Sequence, residues 1–89
     1  MLDYNKIPVS YMKEAVQRYI EQGTQPGGFL TAVICNDLKE SFAKADDNNL
    51  AALQAWVEWF CWQAPFVCWG SPTKMASWMK ARQNEGPHA

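Results

Sequence analysis

Four of the five tryptophans of this chain lie within fourteen consecutive residues, 56–69. The same stretch contains two phenylalanines and two cysteines, and its single charged side chain is that of Glu58. One buried tryptophan removes roughly 150–250 Å² from water, which at ~25 cal/mol/Å² stabilises a fold by at most about 4–6 kcal/mol. So dense a group of large apolar side chains must form either the core of the domain or a surface that binds a partner.

Length and composition predict one globular domain. The chain has 89 residues, of which 48% are apolar and 19% charged, and a domain of this size can build a modest core without disulfides or metals. We expect residues 1–84 to form a single helical domain and residues 85–89 to be a flexible tail. The net charge of −1 lacks the basic excess of nucleic-acid modules, which argues against DNA or RNA as a partner.

The cysteines and the short apolar runs predict a cytosolic location. Cys35, Cys61 and Cys68 form an odd set without close spacing, which is typical of free thiols in a reducing compartment. No run reaches the ~18 apolar residues that span a membrane, and residues 1–10 lack the apolar region of a signal peptide. We therefore expect no membrane partner.

We expect neither a metal nor a cofactor. Zinc sites use about four ligands, commonly with cysteines in close pairs, whereas the single histidine, His88, lies in the tail. Gly27 and Gly28 lack the remaining residues of a phosphate-binding loop, so a tight turn is the better interpretation of this pair.

Apolar periodicity predicts helices along most of the chain. Residues 8–23 should form the first helix, with Gly23 in the left-handed position that ends it. Its apolar side consists of Tyr11, Met12, Ala15, Val16, Tyr19 and Ile20. A second helix should begin after the turn at residues 24–28.

The second helix is expected to break near Asn36. A continuous helix would place Asp37 in the middle of the apolar side. Asp37 is better explained as the cap of a third helix, with Glu40 completing a capping box. Leu38 and Phe42 would then form the inward pair of that helix.

Residues 48–63 should form one helix that is apolar nearly all round. One stripe consists of Leu50, Leu53, Val57, Phe60, Cys61 and Ala64, flanked by Trp56. A second stripe on nearly the opposite side consists of Ala51, Ala52, Ala55, Trp59 and Trp62. Such a helix is expected to be covered on more than one side.

Pro65 ends this helix, because the residue before a proline disfavours helical geometry. Ser71 and Pro72 give the signal for a last helix over residues 72–83. Its inner face should contain Met75, Trp78, Met79 and the stem of Arg82. The complete pattern predicts an all-α fold, a compact bundle of four to five short helices.

The chain offers poor material for catalysis, and we do not expect an enzyme. His88 lies in the tail, and the three cysteines lie in apolar stretches, where the pKa of a thiol rises and its reactivity falls. The clustered acids at positions 37, 46 and 47 follow the pattern of helix caps.

Protein–protein contact is the leading interpretation of the aromatic stretch, since the centres of interfaces favour tryptophan, tyrosine and phenylalanine. The candidate partner-binding residues are Ala51, Ala52, Ala55, Trp59, Trp62 and Trp69. They could contact another protein or a second copy of the chain. In the competing interpretation the last helix folds back over this face with Met75 and Trp78 and completes a monomer core, and the sequence does not separate the two.

Two other classes of function stay open. The aromatic rings could stack a nucleotide or another small ligand, although Lys74 and Gln63 are the only suitable polar neighbours. A helical DNA or RNA reader is less favoured, because residues 48–63 contain no lysine or arginine and phosphate contacts dominate nucleic-acid affinity.

Several short motifs occur together in this chain: Ile7-Pro8, Pro26-Gly27-Gly28-Phe29-Leu30, Ala32-Val33, Asn36-Asp37-Leu38, Ala45-Asp46 and Cys68-Trp69-Gly70-Ser71-Pro72, with Trp78. In this combination, over residues 7–80, the chain resembles a family of small proteins of tailed bacteriophages and prophages. The resemblance supplies no catalytic or binding residues. It implies a phage-encoded protein in the cytoplasm of the bacterial host, where small phage proteins often bind and redirect a host protein, such as a component of defence, replication or transcription.

Overall fold

The computed structural model describes residues 2–85, which fold into one compact domain of helices without a strand. The α-helices are α1 (Lys13–Gln22), α2 (Gly28–Ile34), α3 (Leu38–Lys44), α4 (Asp47–Ala51), α5 (Leu53–Trp62) and α6 (Pro72–Glu85). Three 3₁₀-helices are Tyr4–Lys6, Ser10–Met12 and Phe66–Cys68. The predicted all-α class is confirmed.

The described residues contain six α-helices, where four to five were predicted, because the predicted helix over residues 48–63 is divided into α4 and α5. The predicted tail over residues 85–89 lies outside the described residues, apart from the backbone of Glu85 at the end of α6. No helix within residues 2–85 has the length and apolar character to cross a membrane.

The first helix begins later than predicted and ends where predicted. The 3₁₀-helix Ser10–Met12 precedes α1, and Gly23 caps the end of α1 with a φ of 72°. The prediction that Tyr11 points inward is wrong: its side chain is exposed, and its hydroxyl donates a hydrogen bond to a carboxylate oxygen of Asp46. The core side of α1 is formed by Val16, Tyr19 and Ile20.

The break after α2 occurs where the sequence predicts it. Asn36 adopts a left-handed φ of 61°, and the Asp37 carboxylate accepts the Glu40 N–H at 3.1 Å as the cap of α3. The inward pair predicted for α3 is wrong, because Leu38 and Phe42 are exposed and the buried residue of α3 is Ser41. The Ser41 hydroxyl donates to the carbonyl oxygen of Asp37 at 2.7 Å, which satisfies it inside the fold.

The division between α4 and α5 falls at Ala52, whose φ and ψ are −100° and 13°. Asp46 caps α4 by accepting the N–H of Asn49 at 2.8 Å. Asn49 is itself buried and accepts the indole N–H of Trp56 at 2.9 Å. This buried amide fixes the start of α5 with the Trp56 ring turned into the core.

The buried side of α5 runs through Trp56, between the two predicted stripes. Trp56, Trp59 and Phe60 are buried, so each stripe gives one ring to the core. The predicted burial of the first stripe is wrong for Leu50, Val57 and Cys61, which are exposed. The three rings that pack together are larger than these side chains and remove more apolar area from water.

The last helix packs across the end of α1. The Trp78 indole N–H donates to the carbonyl oxygens of Tyr19 and Ile20, both at 3.2 Å. Met75 is buried and Met79 packs against the core, while the Arg82 guanidinium lies 4.5 Å from the centroid of the Trp78 ring. The predicted inner face of α6 is confirmed. This face packs against α1, and it does not cover Trp62.

Candidate protein-binding surfaces

The structure separates the six predicted partner-binding residues, and Trp59 belongs to the core. Its side chain is 3% exposed. Its ring stacks on Tyr4, with the ring centroids 6.2 Å apart, and forms an edge-to-face contact with Phe60, with the centroids 5.2 Å apart. Its indole N–H donates to the carbonyl oxygen of Asp3 at 3.0 Å. The prediction that Trp59 shares an exposed face with Trp62 is therefore wrong, since the N-terminal segment covers Trp59.

Trp62 is the exposed aromatic residue of the predicted set. Its side chain is 77% exposed at the last residue of α5. Ala55 lies seven residues earlier in the same helix, which places both residues within about 20° around the helix axis. Glu58, one turn before Trp62, is also exposed. We call Ala55, Glu58 and Trp62 the Trp62 flank.

The two alanines near the start of the predicted face have different environments. Ala51 is exposed at the end of α4. Ala52 lies at the break between the helices and packs against the core. Neither lies in α5, so their predicted alignment with Trp62 along one helix is lost.

Trp69 lies on the other side of α5 from the Trp62 flank. Its ring packs against Phe60 with the centroids 5.3 Å apart. It lines a narrow groove of about 90 Å³ between α3 and α5 and a second, open groove of about 370 Å³ beside Phe66. Trp69 thus lines both grooves.

Exposed apolar side chains surround these two grooves. Leu38 is 73% exposed, Val57 42% and Phe66 80%, and the exposed Cys61 lines the same groove as Phe66. We call Leu38, Val57, Cys61, Phe66 and Trp69 the apolar surface. Phe42 on α3 and Val67 beside Phe66 extend it, at 63% and 56% exposure. Contiguous apolar groups of this kind mark binding sites more often than scattered ones do.

Sequence reasoning missed the apolar surface because it placed most of these residues inside. The signal that could have found it is local. Once Asp37 caps α3, a serine at position 41 whose hydroxyl can return to the Asp37 carbonyl is a suitable inward residue. Leu38 and Phe42, one turn apart, then share the outer side.

Charges lie at the two ends of the apolar surface. Asp37 borders the groove between α3 and α5, and Lys74 borders the groove beside Phe66. The Lys74 ammonium lies 4.5 Å from the centroid of the Phe66 ring, a distance at which a cation is attracted to the ring face. The surface therefore has an acidic end and a basic end.

A third groove, between α2 and α6, has a volume of about 500 Å³. The Cys35 thiol lies there, 3.6 Å from the sulfur of Met75. Burial, followed by the nearby charge of Asp37, raises the pKa of Cys35, so its thiol stays protonated at neutral pH and is a poor nucleophile. Within residues 2–85, no group of three or more histidines, cysteines and acids is placed to hold a metal ion.

The three cysteines have different environments. Cys68 is fully buried, Cys35 is half-buried and Cys61 is exposed. The prediction that all three are buried in apolar surroundings is wrong for Cys61, because the buried side of α5 runs through Trp56.

Comparisons with known proteins find no matching family model, no matching curated protein and no matching solved structure. The resemblance to phage proteins therefore stays a prediction from short motifs, and the two surfaces are the observations from which a function can be argued.

Proposed function

We propose that this chain is a non-catalytic protein-binding module, encoded by a phage, that binds and modulates a protein in the cytoplasm of the bacterial host through the Trp62 flank. The observation that carries the proposal is the exposure of Trp62 on a helix whose other rings, Trp56, Trp59 and Phe60, are buried in the core. Leaving so large a ring in water forgoes apolar burial of roughly 150–250 Å².

The surroundings of Trp62 suit an anchor in a protein interface. Tryptophan is enriched among the residues that dominate binding energy, which are typically ringed by contacts that exclude water. Ala55, on the same side of α5, allows a partner backbone to approach closely. Glu58 adds a polar group to the margin, as is usual at the rim of an interface.

The rigidity of α5 also supports this role. Trp56 and Trp59 are each held by an indole hydrogen bond, to Asn49 and to the carbonyl of Asp3. The helix backbone that carries Trp62 is thus fixed before a partner arrives. A preformed site loses less conformational entropy on binding than a mobile one.

The test compares three baits in the lysate of a host bacterium: the wild-type chain, Trp62→Ser and Phe66→Ser. We expect one host protein to be enriched by the wild type and by Phe66→Ser and to be lost with Trp62→Ser. That protein should then bind the purified wild type directly, and Trp62→Ser at least tenfold more weakly, in calorimetry. Equal recovery by Trp62→Ser, or no specific host protein at all, would contradict the proposal.

A further inference from the structure

The apolar surface extends along α5 on the side away from the Trp62 flank. Its two grooves are lined by Leu53, Val57 and Cys61 of α5 and by Ala64 in the turn that follows it. At 1.5 Å per residue, these positions span about 16 Å along the helix direction. Asp37 lies beside the early part of this row and Lys74 beside the late part.

A surface with opposite charges at its ends is complementary to itself. A two-fold axis through its centre brings the same patch of two copies face to face, so that each residue pair occurs twice. The basic end of one copy then meets the acidic end of the other. A different protein would have to carry both charges in the reverse order to match the surface equally well.

We propose that a second copy of this chain covers the apolar surface, in a two-fold dimer whose α5 helices run antiparallel. Lys74 of each copy lies opposite Asp37 of the other, and Val57 and Cys61 lie near the axis. Phe66 and Leu38 of facing copies pack against each other at the two ends.

The area of the surface fits a dimer of moderate affinity. From their exposed fractions, Leu38, Phe42, Val57, Phe66 and Val67 together present on the order of 600 Å². A standard interface buries about 800 Å² on each partner, and smaller ones belong to weaker complexes. The dissociation constant is therefore expected in the micromolar range.

The dimer leaves the proposed partner-binding site free. Trp62 lies about 140° around the α5 axis from Val57 and about 100° from Cys61, so the centre of the dimer interface lies away from it. The dimer presents two Trp62 flanks, which lets it bind two partner molecules or one partner with two sites at higher avidity.

The test measures the solution mass by sedimentation velocity from about 5 to 300 µM, a range chosen to bracket a micromolar dissociation constant. The wild type should convert from monomer to dimer across this range. Leu38→Ser and Phe66→Ser should remain monomeric with an unchanged helical spectrum, because both side chains are exposed. Trp62→Ser is the matched control and should dimerise like the wild type. A wild type that stays monomeric, or a dimer that survives Leu38→Ser and Phe66→Ser, overturns the proposal.

A charge test checks the antiparallel arrangement. Lys74→Glu should raise the dissociation constant at least tenfold, because it places acidic groups opposite Asp37. Adding Asp37→Asn to the same chain should recover part of that loss, and asparagine caps a helix about as well as aspartate. Failure of Asp37→Asn to relieve the Lys74→Glu defect would overturn the proposed pairing.

Discussion

The hydroxyl of Tyr19 donates a hydrogen bond of 2.6 Å to the main-chain carbonyl oxygen of Cys68. Both side chains are fully buried, and the bond ties α1 to the 3₁₀-helix Phe66–Cys68. The N–H of Gly70 donates to the carbonyl of Ile34 at 2.7 Å and holds the other end of the same connection. Tyr19 thus positions Phe66 and the apolar surface without belonging to that surface.

Removing this hydroxyl should destabilise the fold. Tyr19→Phe leaves the buried Cys68 carbonyl without its donor, which costs about 1–3 kcal/mol in the free energy of unfolding. Urea denaturation measures the change. Tyr11→Phe is the control and should have a smaller effect, because the Tyr11 hydroxyl bonds at the surface. A Tyr19→Phe protein as stable as the wild type would show that water or a shifted donor replaces the bond.

The helices and their ends could be predicted because their signals are local. Gly23 ends α1 in the left-handed conformation, and Asp37 caps α3 through the N–H of Glu40. Proline at position 65 and Ser71 before Pro72 bracket the connection to α6. Each of these signals depends only on residues within about one helical turn.

The outward side of α5 could not be predicted, because it depends on residues outside that helix. The core side of α5 is decided by Asn49 and by the carbonyl of Asp3, which accept the indole N–H groups of Trp56 and Trp59. When apolar residues surround a helix, periodicity does not choose between two nearly equal stripes. The side of α5 that packs in the core therefore lies between the two stripes. The residues at the outer margin of each stripe are exposed.

Truncation should destabilise the fold strongly at Trp59 and hardly at all at Trp62. Trp59→Ala empties a core position and should lower the free energy of unfolding by about 3–5 kcal/mol. Trp62→Ala removes an exposed ring and should change it by less than about 0.5 kcal/mol. Thermal and urea unfolding measure both. If the two variants lost similar free energies of unfolding, Trp62 would have to be covered in solution by part of its own chain.

Gly23 should not tolerate a side chain. Its φ of 72° disfavours any other common residue, and a Cβ there would lie 2.7 Å from the carbonyl oxygen of Met79. Gly23→Ala should therefore lower the free energy of unfolding by more than the ~1–2 kcal/mol cost of the left-handed conformation, since α6 must also move away from α1. Gly27→Ala is the matched control, with nothing within 4 Å of the added Cβ. Similar unfolding midpoints for the two variants would contradict this contact.

The cysteines should react with iodoacetamide in a fixed order. The exposed Cys61 should be modified first, the half-buried Cys35 later, and the buried Cys68 only as the chain unfolds. Mass spectrometry of peptides taken at successive times measures the three rates. If dimers form as proposed, modification of Cys61 should slow at high protein concentration, and Phe66→Ser should abolish that slowing. Rapid modification of Cys68 in the native protein would contradict its burial.

Alkaline pH should destabilise the fold through Cys68. Burial raises the pKa of its thiol from 9.0 to about 12, so above pH 9 the unfolded chain loses a proton that the folded chain retains. The free energy of unfolding should therefore fall as the pH rises from 9 towards 12, by at most about 1.4 kcal/mol per pH unit from this group. Burial also raises the pKa of Tyr19, which adds a loss of the same sign above pH 10.

Cys68→Ala should make the decline shallower in urea titrations at successive pH values, whereas Cys61→Ala, at an exposed position, should leave it unchanged. A slope that Cys68→Ala does not alter would assign the decline to Tyr19 and the remaining titrating groups instead.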